Sequence, residues 1–182
     1  MREPQKAIEF YYQAVKAYKL VKPSKFGKKT SLELYTPEDA AKLAVFNLRD
    51  IAEIYRNLKQ PQKAIQAYNQ ALEIDIQNKD HELINSLYYG IARIHEVIAE
   101  DNLKQKNFHK AIEAYNHAAS IYQKAGKNYQ SSVVNTLHKI ADIQVKLKLP
   151  QSVLATYNRI IELQKKQKDI IGQVETIRQI GN

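Results

Sequence analysis

The sequence predicts an all-α fold, an α-solenoid of stacked helix–turn–helix repeats forming one array over residues 1–182. Three observations predict it. The stretch "EPQKAIEFYYQAV" at residues 3–15 returns as "QPQKAIQAYNQAL" at residues 60–72, with eight of thirteen aligned positions identical. A second, different helical signature alternates with this one along the chain. Only five Gly and five Pro occur among 182 residues, a balance that favours long helices over strands and turns.

The opening stretch recurs four times, as Ala7-Ile8…Tyr11…Ala14, Ala64-Ile65…Tyr68…Ala71, Ala111-Ile112…Tyr115…Ala118 and, more loosely, Val153-Leu154…Tyr157…Ile160. Three copies begin just after Pro4, Pro61 or Pro150. Proline suits the first turn of a helix, where its missing N–H has no partner to lose. Each copy therefore predicts a helix start.

The alternating signature is Leu48…Ile51-Ala52…Tyr55, then Tyr88…Ile91-Ala92…His95, then Leu137…Ile140-Ala141…Gln144, and it begins again at Ile177…Ile180-Gly181. Its i, i+3, i+4, i+7 spacing places the apolar residues on one helical face. Two antiparallel helices approach closely only where side chains are small, which predicts crossings at Ala52 with Ala64 and at Ala92 with Ala111. A single pair cannot bury its own apolar face, so neighbouring pairs must stack.

In chain order, residues 3–22 are the second helix of a partial pair and residues 23–36 a basic loop. Residues 37–80 form a repeat that opens on Thr36-Pro37-Glu38-Asp39, an N-cap followed by a first-turn proline and early acids. Residues 81–128 form a repeat with an insertion, because nineteen residues separate Ala92 from Ala111 where twelve separate Ala52 from Ala64. The helix-compatible stretch "HEVIAEDNLKQK" predicts a lengthened helix over residues 96–106, about 10 Å of extra reach. Residues 129–169 form a further repeat and residues 170–182 the start of a truncated one. The chain is expected to be a piece of a longer array, with apolar surface at one or both ends and end-to-end homo-oligomers covering it.

The alternation of L-x-x-[IL]-A-x-x-Y with A-I-x-x-Y-x-x-A resembles the tetratricopeptide repeat family, in its longer units of about 40 residues. That resemblance covers residues 3–22 and 37–182. It implies a right-handed solenoid whose first helices line a concave groove for a protein or peptide ligand. The family's turn glycine is missing, with Lys59 and Lys148 standing near that point.

Little in the chain suggests chemistry. His95-Glu96 opens an H-E-x-x-H metalloprotease motif, but Ala99 occupies the second histidine's place. His81, His109, His117 and His138 form no ligand spacing with acids, and no phosphate-binding or nucleophile-elbow motif occurs. The sequence therefore predicts no enzyme, no catalytic residue, no metal and no cofactor. It carries no cysteine, no signal-peptide core and no apolar run long enough for a transmembrane segment. A cytoplasmic location is the default expectation.

The expected function is a non-catalytic protein–protein interaction scaffold. Its groove residues are taken from the flank of each first helix that the Ile-Ala stripe does not use. These are Phe46, Arg49, Glu53 and Arg56, then Tyr89, Arg93 and Glu96, then Asn135, His138 and Asp142. A mixed-sign surface with aromatics suits an extended peptide carrying charges and an apolar anchor. The plainer account is that Arg49–Glu53 and Tyr89–Arg93 are i,i+4 neighbours on solvated helices. The alternative function rests on charge. Six of the nine excess positive charges fall on Lys16, Lys19, Lys22, Lys25, Lys28 and Lys29, with no acid between Phe10 and Leu32. Interleaved with Tyr12, Tyr18 and Phe26, they would suit nucleic acid or an anionic membrane surface.

Overall fold

A computed structural model describes residues 3–18, 20, 36–78 and 80–181. Among them lie α1 (Pro4–Tyr18), α2 (Pro37–Asn57), α3 (Pro61–Asn78), α4 (His81–Lys104), α5 (Phe108–Lys124), α6 (Gln130–Lys146), α7 (Pro150–Gln167) and α8 (Ile170–Ile180). A single 3-10 turn, Lys127–Tyr129, precedes α6, and the described residues contain no strand. The all-α repeat class expected from the pattern is the one observed. The basic loop expected over 23–36 lies outside the described residues, apart from Thr36.

The helix starts follow the local chemistry. Pro4, Pro61 and Pro150 are the first residues of α1, α3 and α7. At α2 the capping box is complete: the Asp39 N–H donates 3.1 Å to Thr36 Oγ1, and the Thr36 N–H donates 3.0 Å back to Asp39 Oδ2. Asp169 caps α8 by accepting from the Gly172 N–H at 2.9 Å.

The chain forms two compact units, Met1–Gly90 and Ile91–Asn182, with the division inside α4. In the first unit α2 packs on both α1 and α3. Ala52 and Ala64 are fully buried, as the predicted crossing requires, and Val45, Leu48, Ile51 and Tyr68 are buried in the same unit. Gly90 closes this core. A Cβ there would collide with the Tyr68 ring. In the second unit α6 packs between α5 and α7, and α8 packs on α7. Its core joins Ala111, Tyr115 and Tyr122 of α5 to Leu137, Ile140 and Ala141 of α6 and to Tyr157 and Ile160 of α7.

Of the stretch 96–106 expected to be helical, residues 96–104 are helical and complete the 24-residue α4, while residues 105 and 106 form the turn before α5. The register at its turn differs from the expected one. Ile98-Ala99 stands twelve residues ahead of Ala111, the spacing that separates Ala52 from Ala64 and Ala141 from Val153. Ala99 and Ala92 are both fully buried and both belong to the core that holds Ala111, so either can serve the close approach to α5. Seven residues are close to two helical turns, so Ala92 keeps the same face and is buried as well.

The missing turn glycines have a structural counterpart. Lys59, Lys106 and Lys148 each follow a crossing alanine by seven residues, and each adopts a left-handed backbone, with φ of 56°, 60° and 55°. Lys168, between α7 and α8, does the same at 59°. Glycine carries no steric cost in this region, whereas a residue with a Cβ does.

Apolar surface remains at α8. Ile170, Ile171, Val174 and Ile177 are each more than half exposed, while Val134 and Leu137, forty residues earlier on α6, are buried. Phe10 on α1 is also exposed.

Candidate partner-binding surface

With the register set by Ala52, Ala99 and Ala141, the outer flanks of the first helices align as Phe46-Arg49-Glu53, Arg93-Glu96-Glu100 and Asn135-His138-Asp142. The last residue of each set is an acid, and fifteen residues after it stands a tyrosine of the second helix: Tyr68, Tyr115 or Tyr157. Glu100 belongs to this series and was missed in the sequence because the insertion shifted the alignment.

In the first unit the Tyr68 hydroxyl donates 2.6 Å to Glu53 Oε1, and Arg56 Nη2 lies 2.6 Å from Glu53 Oε2. Glu53 thus pairs with Arg56, not with Arg49 as the i,i+4 spacing suggests. Burial, then the bond to Glu53, pushes the Tyr68 pKa far above its usual value. Arg49 instead lies over the Phe46 ring, its Cζ 5.1 Å from the centroid, and meets Asp50 at 4.0 Å. Phe46 is 39% exposed beneath it. Tyr89, on the part of α4 within this unit, is 38% exposed.

In the second unit Glu96 is not on an open face. It is 7% exposed and forms the centre of a polar cluster. The Tyr122 hydroxyl donates 2.9 Å to its Oε2, Arg93 Nη1 lies 3.4 Å from the same oxygen, and Lys139 Nζ lies 3.4 Å from Oε1. Lys139 also reaches Glu100 at 3.4 Å and sits 5.3 Å from the Tyr115 ring centroid. Burial first, then the charges of Glu100 and Glu96, pushes Tyr115 up to about 12. A carboxylate so enclosed fixes helix packing and is unavailable to a ligand. Neither Lys139 nor Tyr122 was legible as part of this surface, because both reach Glu96 from distant segments.

Farther along, Asn135 and Asp142 are exposed. His138 is half-buried with its ring 6.1 Å from Tyr157, and burial lowers its pKa against the opposing charges of Asp142 and Glu175. The His95 ring lies 5.4 Å from His117 and is also held down by burial. Among the described residues no group of three His, Cys, Asp or Glu is placed to hold a metal ion, and no helix is long and apolar enough to cross a membrane. Of the basic segment, Lys16 is exposed on α1. Lys19, Lys22, Lys25, Lys28 and Lys29 lie outside the described residues.

Paired helices with small residues at their crossings define a tetratricopeptide-type helical repeat protein. A family model described as tetratricopeptide repeat matches residues 90–166. A second, described as soluble NSF attachment protein, SNAP, matches residues 1–97, and the chain belongs to that family. Among solved structures it is similar to aspartyl phosphate phosphatase F from Bacillus subtilis, at 17% identity and a TM-score of 0.46, covering 97% of this chain and 39% of that one. The chain therefore spans well under half the length of that protein. It is also similar to a kinesin-light-chain-type protein of Podosopora anserina with nearly identical TPR-like repeats, at 14% identity and a TM-score of 0.44, covering 98% of this chain and 76% of that one. No curated protein matches the chain in sequence.

Proposed function

We propose that the chain is a non-catalytic scaffold that holds a peptide or protein segment on the outer flanks of its first helices. The observation that carries this is Arg49 over Phe46: an exposed ring beneath a guanidinium that meets the Asp50 carboxylate at 4.0 Å. Such a pair offers an apolar anchor and a positive charge held by a single long ion pair, the two elements that a mixed peptide needs. His138 and Asp142 offer a second polar position in the other unit. The family's description as an attachment protein accords with a role in holding partners.

Charge reversals at exposed positions test it. Arg93→Glu is unsuitable, since it would set a second acid against buried Glu96. Arg49→Glu combined with Asp142→Lys should abolish capture of the native partner while leaving helicity intact. Should neutralising Lys22, Lys25, Lys28 and Lys29 abolish capture instead, the basic segment is the site and the helix flanks are not.

A further inference from the structure

The second unit carries a groove of about 300 Å³ between α5 and α7, both of which pack on α6. The buried Leu137 and Ile140 of α6 lie at its base, and Asn116, Gln144, Ser152 and Arg159 line it as well. Leu137, Ile140 and Gln144 lie on the opposite side of α6 from Asn135, His138 and Asp142, so the groove is separate from the helix flanks described above. We propose that this groove receives the side chain of a tyrosine within an acidic segment of a partner protein.

The repeat supplies the shape of the occupant. Tyr11 aligns with Tyr115, and Leu48 and Ile51 align with Leu137 and Ile140. The first-unit counterparts of Asn116, Gln144 and Ser152 are therefore Tyr12, Tyr55 and Lys63. Tyr12 and Tyr55 are both half-buried there, and burial first, then the nearby Tyr55, raises the Tyr12 pKa. Lys63 Nζ lies 5.5 Å from the Tyr55 ring centroid. The first unit thus fills this place with two phenol rings and a cation over one of them. The second unit has two amides and a serine at the same positions, and the space stands open as the groove. An aromatic ring brought by a partner restores the packing that the first unit makes for itself.

Polar groups select a hydroxyl on that ring and an acid beside it. Gln144 is 9% exposed, and its Oε1 accepts from Thr156 Oγ1 at 2.8 Å. Its Nε2 has no partner among the described residues, so a nearly buried donor lines the groove unused. A phenol oxygen can accept from it, whereas a phenylalanine ring would leave it unmet. Arg159 is the charged residue among those lining the groove, and it makes no ion pair among the described residues. An acid next to the tyrosine finds its counter-charge there.

A direct test uses the full chain and a fluorescein-labelled peptide, Gly-Ser-Glu-Tyr-Glu-Ser-Gly. Fluorescence anisotropy should show binding at least tenfold tighter than for the peptide with alanine in place of tyrosine, and at least threefold tighter than for the one with phenylalanine. Asn116→Tyr, at an exposed position, installs the first unit's residue and should abolish binding with circular dichroism unchanged. Arg159→Glu, also exposed, should weaken binding at least tenfold and favour the peptide with lysines in place of its glutamates. Arg49→Glu combined with Asp142→Lys should leave binding as it is. Absence of binding, equal binding of the alanine or phenylalanine peptide, or indifference to both Asn116→Tyr and Arg159→Glu overturns the proposal. Loss of binding in the Arg49→Glu, Asp142→Lys variant also overturns it, assigning the peptide to the helix flanks.

Discussion

Tyr68 donates a 2.6 Å hydrogen bond to Glu53, joining the two helices of a pair across fifteen residues of sequence. Arg56 holds the other oxygen of that carboxylate, so both groups are fixed in one arrangement. Tyr68→Phe removes the hydroxyl and leaves a half-buried carboxylate with one fewer donor. A loss of about 1–2 kcal/mol is expected, read as a fall in thermal midpoint by circular dichroism. An unchanged midpoint would mean that Arg56 and solvent satisfy Glu53 unaided.

Asp75 should behave in the opposite way. It is fully buried, and neither carboxylate oxygen has a hydrogen-bond partner. At the same repeat position Tyr122 donates to Glu96, and Gln164 accepts from Thr176 at 3.1 Å. The helix after Asp75 carries Leu87 where α6 and α8 carry Thr136 and Thr176. Burial first, then the charge of Asp80, raises its pKa against the pull of Lys42. A raised folded pKa means that the native state binds the proton more tightly than the unfolded chain. Asp75 therefore weakens the fold above its folded pKa, and the penalty fades as pH falls towards the unfolded value. Asp75→Asn should raise stability by about 1–3 kcal/mol at neutral pH. Its advantage over the wild type should shrink on acidification. A constant advantage at every pH would rule out ionisation as the cause.

The left-handed lysines allow stabilisation without touching the core. Lys59→Gly and Lys148→Gly should each add about 1 kcal/mol, because glycine adopts positive φ without a Cβ clash. The sites are remote from one another in sequence, so the gains should add in the double variant. Urea midpoints measure this. A loss at either site would show that the lysine stem packs against its helix ends.

Ala52→Leu, Ala99→Leu and Ala111→Leu should each destabilise by about 1–3 kcal/mol through overpacking at the crossings. Ala99 is the informative member. If Ala99→Leu is tolerated while Ala111→Leu is not, the crossing in that pair lies elsewhere along α4.

Much of the fold was legible because its signals are local. The capping box at Thr36 and Asp39 is complete within four residues, and the prolines at 4, 61 and 150 mark helix starts by their own geometry. The register of α4 was not legible from the stripe alone. Ile91-Ala92 and Ile98-Ala99 repeat the same pair on the same face, and only distance to the following turn separates them. The surface was harder still. Glu96 looks like any exposed acid in its own helix, and its burial depends on Tyr122 and Lys139, 26 and 43 residues away. The lysines at positive φ were visible only as an absence of glycine.

The buried tyrosines have an optical consequence. With no tryptophan and twelve tyrosines, the chain takes its near-ultraviolet absorbance almost wholly from phenol groups. Tyr68 and Tyr115, buried and close to the Glu53 and Glu100 carboxylates, resist ionisation far into alkali. A spectrophotometric titration should therefore run in two phases, with the late phase released only as the helix pairs separate. The protein carries its own unfolding dye, and the chromophores sit at the contacts between paired helices.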